Sequence, residues 1–204
     1  MPRIDALGSR LFLLNLYPEL CTVPSSLKPL EAPQEAPRIR ALDVGAGVGR
    51  VTCDVLLNLA SDVVLVEPVQ SFVEEALARA QKSAAEKTNA WPGLADGSKS
   101  VTFLQGTLQE FHPRHPHRVR LVDRVGYQGS PLEADIGRGF DVIWCQWCLG
   151  HLGDEDLIAF FKRARESLND HPRSLIIVKE NHCYDAEGGS PLVVFDEQDS
   201  SITR

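Results

Sequence analysis

The sequence predicts an α/β fold in which a mostly parallel, doubly wound sheet is covered by helices on both faces. Three observations point there. Short apolar, β-branched runs alternate along the chain with longer amphipathic ones, the pattern of strands buried on both sides and joined by crossover helices. A glycine loop, "GAGVGR", follows the first apolar run and opens a helical one. An acid, Glu67, closes the second. Right-handed crossovers between such strands give the doubly wound layout.

Residues 4–16 read as a short amphipathic helix with Leu7, Leu11, Phe12 and Leu14 on or near one face. "VPSSLKPLEAPQEAPR" is a Pro-rich connector. "IRALDV" is the first strand, "RVTCDVLLNLA" a helix and "DVVLVEP" the second strand. "SFVEEALARAQKSAAEK" is stocked with the Ala, Glu and Lys that favour a helix. "KSVTFLQG" and "FDVIWCQW" are the third and fourth strands. "GDEDLIAFFKRARESL" carries acids in its first turn and bases later, as the helix dipole favours. "SLIIVKEN" is a fifth strand. "TNAWPGLADGS" and "HPRHPHRVRLVDRVGYQGSPLEADIGRG" are polar and broken by Gly and Pro, and read as surface insertions. One domain over 1–204 is expected. It comprises a helix and connector (1–36), a core (37–182) with insertions near 88–99 and 112–139, and a closing segment (183–204).

At 204 residues and 43% hydrophobic, the chain can bury one sizeable core. Its net charge of −7 suits a cationic partner better than a phosphate backbone, so no nucleic-acid partner is expected. No run is long enough to span a bilayer, and no membrane partner is expected. Five cysteines without an even framework do not suggest a stapled secreted domain. The first apolar residues are interrupted by Asp5 and Arg10, unlike a signal peptide. A reducing compartment is expected: the cytoplasm, with the nucleus also open.

Gly45, Gly47 and Gly49 form G-x-G-x-G. A dinucleotide fingerprint would place its third glycine at position 50, which is Arg50, so the spacing disfavours NAD or FAD. Glu67 lies about twenty residues on, where an acid can grip a ribose diol. The plainer reading of Glu67 is an exposed carboxylate before Pro68. Asp43 precedes the loop. Strand, acid, glycine loop, helix, strand and acid together resemble the S-adenosyl-L-methionine (SAM) site of class I methyltransferases.

"IWCQWCLGHL" tempts a metal or redox reading through Cys145 and Cys148. Three residues apart, the pair would face opposite sides of a continuing strand. Zinc needs about four convergent ligands, and a redox Cys-x-x-Cys opens a helix. The cysteines read as small core residues. Gln146 and Trp147 stand at the carboxyl end of the strand, where open α/β sheets bind ligands. Trp147 offers a flat face to a ring or a cation; the alternative is a core tryptophan. "HPRHPH" reads as an exposed loop, with no metal expected.

"LDVGAGVGR", "GTLQEF", "FDVIWCQWCLGHL", "SLIIVKEN" and "DEQDSS" together resemble the protein α-N-terminal methyltransferases. The resemblance runs from about Ile4 to the end, outside the two insertions. It implies a Rossmann-like class I fold of about five parallel strands. It also implies SAM as cofactor and, as substrates, protein N-termini that read Xaa-Pro-Lys or Xaa-Pro-Arg. Gly45, Gly47 and Arg50 would contact the cofactor, Arg50 at its carboxylate. Glu67, where the family usually has Asp, would hold the ribose. Leu108 and Gln109 would flank the adenine, and Gln146 would also touch the cofactor. Trp147 would pack on the substrate proline and Asn181 would hydrogen-bond the amine. Asp199 would be its general base, and Asp196 and Ser201 would help take the third-position cation. For His151 a catalytic part and a packing role stand open together. "DEQDSS" alone reads equally as an acidic turn with capping serines. The resemblance further implies a chain short at both ends, without the C-terminal antiparallel hairpin, and with Leu175–Lys179 open on one side. Two other functions remain: a small-molecule methyltransferase on the same fold, and a catalytically weak binding or scaffold chain.

Overall fold

The computed structural model describes residues 2–21, 38–128, 138–169, 173–181, 193–199 and 201–203. Most of the connector, the end of the second expected insertion, much of the stretch after Asn181, and Ser200 lie outside them. Helix α1 (Pro2–Leu16) leads to the first strand, β1 (Arg40–Val44). A short α2 (Arg50–Asp54), β2 (Asp62–Glu67), α3 (Gln70–Ala85) and β3 (Ser100–Gln105) follow. Then come β4 (Arg120–Gly126), β5 (Val142–Gln146), α4 (Asp154–Glu166) and β6 (Leu175–Lys179). Two short strands, β7 (Val194–Asp196) and β8 (Ser201–Thr203), close the described chain.

The main sheet runs in the order β4-β3-β2-β1-β5-β6. The five expected strands are mutually parallel, and β6 forms one edge. β4 is antiparallel to β3 and forms the other edge. It falls inside the stretch read as a surface insertion. β7 and β8 pair with each other as a separate hairpin.

Side chains alternate across a strand, and the core divides accordingly into two clusters. Ala41, Val63, Leu65, Val142, Trp144 and Ile177 join one, with residues of α1, α2 and α3. Leu42, Val44, Val64, Val66, Ile143 and Cys145 join the other, with Phe160 and Ala164 of α4. This is the two-faced cover that the doubly wound layout requires. By the same parity, Gln146 and Lys179 extend the α1 face at the carboxyl ends of β5 and β6.

Three readings need correction. "TNAWPGLADGS" is not a surface loop, because Trp91 and Leu94 are buried in the first cluster. The apolar face of α1 is only in part the expected one: Leu7, Leu11 and Phe12 are exposed, while Leu14 packs against the first cluster beside the buried Ala6 and Leu13. Cys145 and Cys148 are core residues as expected, but they do not lie on opposite sides of a continuing strand. β5 stops at Gln146, a tight turn follows, and both thiols end in the second cluster.

Candidate functional site

The glycine loop links β1 to α2, and its three glycines all have left-handed φ, at 61°, 56° and 77°. Their reasons differ. A Cβ on Gly45 would stand 2.4 Å from the Cβ of Cys148, and one on Gly49 would stand 2.5 Å from the Trp91 ring. Those two glycines let neighbouring side chains close in. A Cβ on Gly47 would meet nothing within 4 Å, so Gly47 leaves its backbone open to a ligand. Glu67, at the end of β2, lies beside it: one oxygen accepts the Gly47 N–H at 2.9 Å and the other the Val69 N–H at 3.0 Å. Glu67 is therefore buried, not a plain exposed carboxylate. Each oxygen keeps a lone pair for a further donor. Asp43 is buried beneath the loop and accepts the Thr52 hydroxyl at 2.6 Å. Burial pushes its carboxyl up to about 7, against the pull of Thr52.

After β3, Leu108 is buried in the second cluster and Gln109 is exposed. Arg163 of α4 holds this segment by donating to the carbonyls of Leu108 (2.7 Å) and Phe111 (3.2 Å).

At the end of β5, Gln146 is buried, and its carbonyl accepts the Trp144 indole N–H at 3.1 Å. Trp147 has left-handed φ (55°), and its side chain is half-exposed. Its N–H donates to the Lys179 carbonyl at 3.1 Å. Arg50 and Lys179 stand over its ring, 5.4 and 5.8 Å from the centroid. Burial raises both the Cys145 and Cys148 thiols well above the ordinary range, the opposite of what thiolate chemistry needs.

Beyond Trp147 lies a cleft of about 470 Å³, lined in part by Trp147, His151, Asn181, Asp199 and Ser201. β6 brings Asn181, the turn at Leu149–His151 brings His151, and the β7–β8 hairpin brings Asp199 and Ser201. Gly150 lets the hairpin approach, since a Cβ there would stand 3.1 Å from the Ile202 carbonyl oxygen. Asp199 is fully exposed, and hydrogen bonds from Ser201 hold its carboxyl below the usual range. Asp196 does not line the cleft; its carboxylate accepts the Gln198 N–H at the hairpin turn.

Three residues were not anticipated. Glu180 lines the cleft and accepts the N–H groups of Cys148 and Leu149, both at 2.9 Å, which fixes the turn after Trp147. Asp5 and Lys179 form an ion pair that joins α1 to β6. In the sequence each is a charged residue with no pattern that marks it.

A family model described as "AdoMet dependent proline di-methyltransferase" matches residues 1–204. The alpha N-terminal protein methyltransferase 1 of Arabidopsis thaliana is 33% identical over 200 residues, 98% of this chain and 55% of that protein. Its counterpart in Schizosaccharomyces pombe is 34% identical over 204 residues, all of this chain and 66% of that one. The N-terminal Xaa-Pro-Lys N-methyltransferase 1 of Danio rerio is 34% identical over 80% of this chain and 54% of its own. The chain thus spans between about half and two-thirds of the length of these relatives. A solved Leishmania major SAM-dependent methyltransferase superposes with a TM-score of 0.60 at 24% identity, over all of this chain and 57% of that one; it shares the fold.

Proposed function

The chain belongs to the AdoMet-dependent proline di-methyltransferase family, and from that premise we propose that it methylates the α-amine of proteins beginning Xaa-Pro-Lys or Xaa-Pro-Arg, with SAM as donor. The observation that carries this reading is the cleft beyond β5 and β6. There Trp147, His151, Asn181, Asp199 and Ser201 line one cleft, and Trp147 directly follows Gln146 in the chain.

The residues fit the cofactor. Gly47 is open, Glu67 retains acceptor capacity for a ribose diol, and the Arg50 guanidinium has five N–H groups for a carboxylate and its neighbours. Gly45 shapes the loop, and Gln146, held by Trp144 and lying near Asp5, is placed to touch the cofactor. Leu108 and Gln109 border the adenine. When bound, SAM supplies a methyl group already activated on a sulfonium.

The protein's own work is to select, orient and deprotonate the amine. Trp147 offers a flat apolar face to the proline ring. Asn181 hydrogen-bonds the amine. A free α-amine has a pKa of about 7.7–8.0, so near neutrality its proton must be taken. Asp199, ionised and at the cleft, is the acceptor, and His151 orients groups beside it. Asp199, Ser201 and the negative Asp196 on the same hairpin favour a cation at the third position.

Mass spectrometry of an Xaa-Pro-Lys peptide incubated with the protein and SAM tests the proposal. Methyl increments confined to the N-terminal amine are expected, and a peptide with Glu at the third position should stay unmodified because its charge would be repelled by Asp199 in the cleft and, from further off, by Asp196. Equal turnover of both peptides would refute the substrate assignment. Turnover of small amines alone would point to a small-molecule methyltransferase.

A further inference from the structure

Asp5 is the only acid on α1, and it makes more polar contacts than any other residue of that helix. One carboxylate oxygen accepts the Lys179 ammonium of β6. The other accepts Arg50 of the glycine loop at 2.9 Å and lies 3.4 Å from the Gln146 amide of β5. Lys179 also donates to Ser9, one turn on along α1, at 3.0 Å. A single carboxylate thus ties α1 to the carboxyl ends of three neighbouring strands or their loops. The two cations it holds are the two that flank the Trp147 ring. The group is partly shielded, with side-chain exposure of 23% for Asp5, 31% for Arg50 and 35% for Lys179. Hydrogen bonding from Lys179, with help from Arg50 and Gln146, overcomes desolvation and lowers the Asp5 carboxyl below its usual value, so it is ionised at neutral pH.

The charge balance within this group is uneven. Two cations converge on one carboxylate, so a second carboxylate would neutralise it. Arg50 gives one N–H of its fork to Asp5, and a guanidinium can serve two carboxylates at once. Left alone, a long arginine at a loop samples many rotamers, and ordering it on binding costs free energy. Asp5 has already ordered it.

We propose that Asp5 is a positioning residue that presets Arg50 to receive the carboxylate of the cofactor's amino-acid end, so that the seating of α1 and the grip on that end are one device. The proposal rests on the SAM reading above. It differs from a purely structural role for Asp5 in one respect: it concerns only ligands that carry the amino-acid end.

That difference sets the experiment. Calorimetry compares S-adenosylhomocysteine with methylthioadenosine, which keeps the adenosine and the sulfur but lacks the amino-acid end. Asp5→Asn should weaken S-adenosylhomocysteine by about tenfold or more, the scale of a charge-assisted contact, and leave methylthioadenosine within about twofold. In an Arg50→Gln background, Asp5→Asn should cost nothing further, because two residues acting through one contact are not additive. Unchanged S-adenosylhomocysteine affinity in Asp5→Asn would overturn the proposal, as would equal losses for both ligands or additive losses in the double variant. Should Asp5→Asn fail to melt cooperatively, Asp5→Glu takes its place. It keeps the charge but moves it by one methylene, and should cost S-adenosylhomocysteine alone a few-fold; no selective loss would again overturn the idea. A wild type that binds neither ligand would instead bring down the SAM reading itself, and the proposal with it.

Discussion

Glu67 and Asp199 are both carboxylates at the ends of strands or turns, yet their surroundings give them different tasks. Glu67 is buried and spends its oxygens on two backbone N–H groups. Replacing it with Ala should weaken SAM binding by about 1.5–3 kcal/mol, the value of a charge-assisted contact, as read by calorimetry. Asp199 is exposed, and Ser201 keeps its carboxyl below the usual range, so it is already ionised at neutral pH. The rise of kcat/KM with pH should therefore follow the substrate amine, through about 7.7–8.0. Asp199→Asn should lower kcat by about 10²-fold or more with SAM affinity nearly unchanged; a variant with wild-type kcat would remove Asp199 from the chemistry. The glycine loop, the acid after β2 and the Gln-Trp pair were legible in the sequence because their residue types are rare in that order. Asp5, Lys179 and Glu180 were not, because a single acid or lysine carries no pattern until the fold brings its partners to it.

Among the elements, β1, β2, β3 and β5 were readable because burial on both faces makes each of them a near-continuous apolar run, and β6 was readable from its "LIIV" run although it is an edge strand. β4 escaped because it is an edge strand whose "RLVDRVG" mixes charges into the alternation. The helix α1 was found but its buried face was misread. Ala6, Leu13 and, in part, Leu14 pack on the core, while Leu7, Leu11 and Phe12 face outward, so counting bulky residues pointed mostly the wrong way. The segment holding Trp91 was misread for its Gly, Pro and Asp, which mark turns but do not fix where a turn's tryptophan goes. That ring packs under the glycine loop, with Gly49 left bare to admit it. Trp91→Ala should therefore cost about 3–5 kcal/mol of stability, measurable by urea denaturation, and should loosen the loop above it. A variant as stable as wild type would show that the segment is dispensable packing.

At the scale of the whole molecule, one buried acid should leave its own mark on the dependence of stability on pH. Asp43 has its pKa raised by burial from 3.8 to about 7. The native state then keeps a proton that the unfolded chain has released, and stability falls as pH rises wherever the native state binds more protons. The decline should begin near pH 4, end near pH 7, and reach a few kcal/mol at about 1.36 kcal/mol per unit. Urea melts across that range should show it, and Asp43→Asn should flatten it. The open edge of the sheet has a consequence of another kind. Leu175 donates its N–H inward to the Asp141 carbonyl, and Lys179 accepts inward from Trp147. Bonding along a parallel strand skips every second residue, so the amides of Leu175, Ile177 and Lys179 turn toward β5 while those of Ile176 and Val178 turn away from it. No described strand lies beyond β6. In deuterated water, isotope uptake along this strand should therefore be two-speed, fast at Ile176 and Val178 and slow at the three residues between and beside them. That comb of rates would report, amide by amide, whether anything has come to lie against the edge.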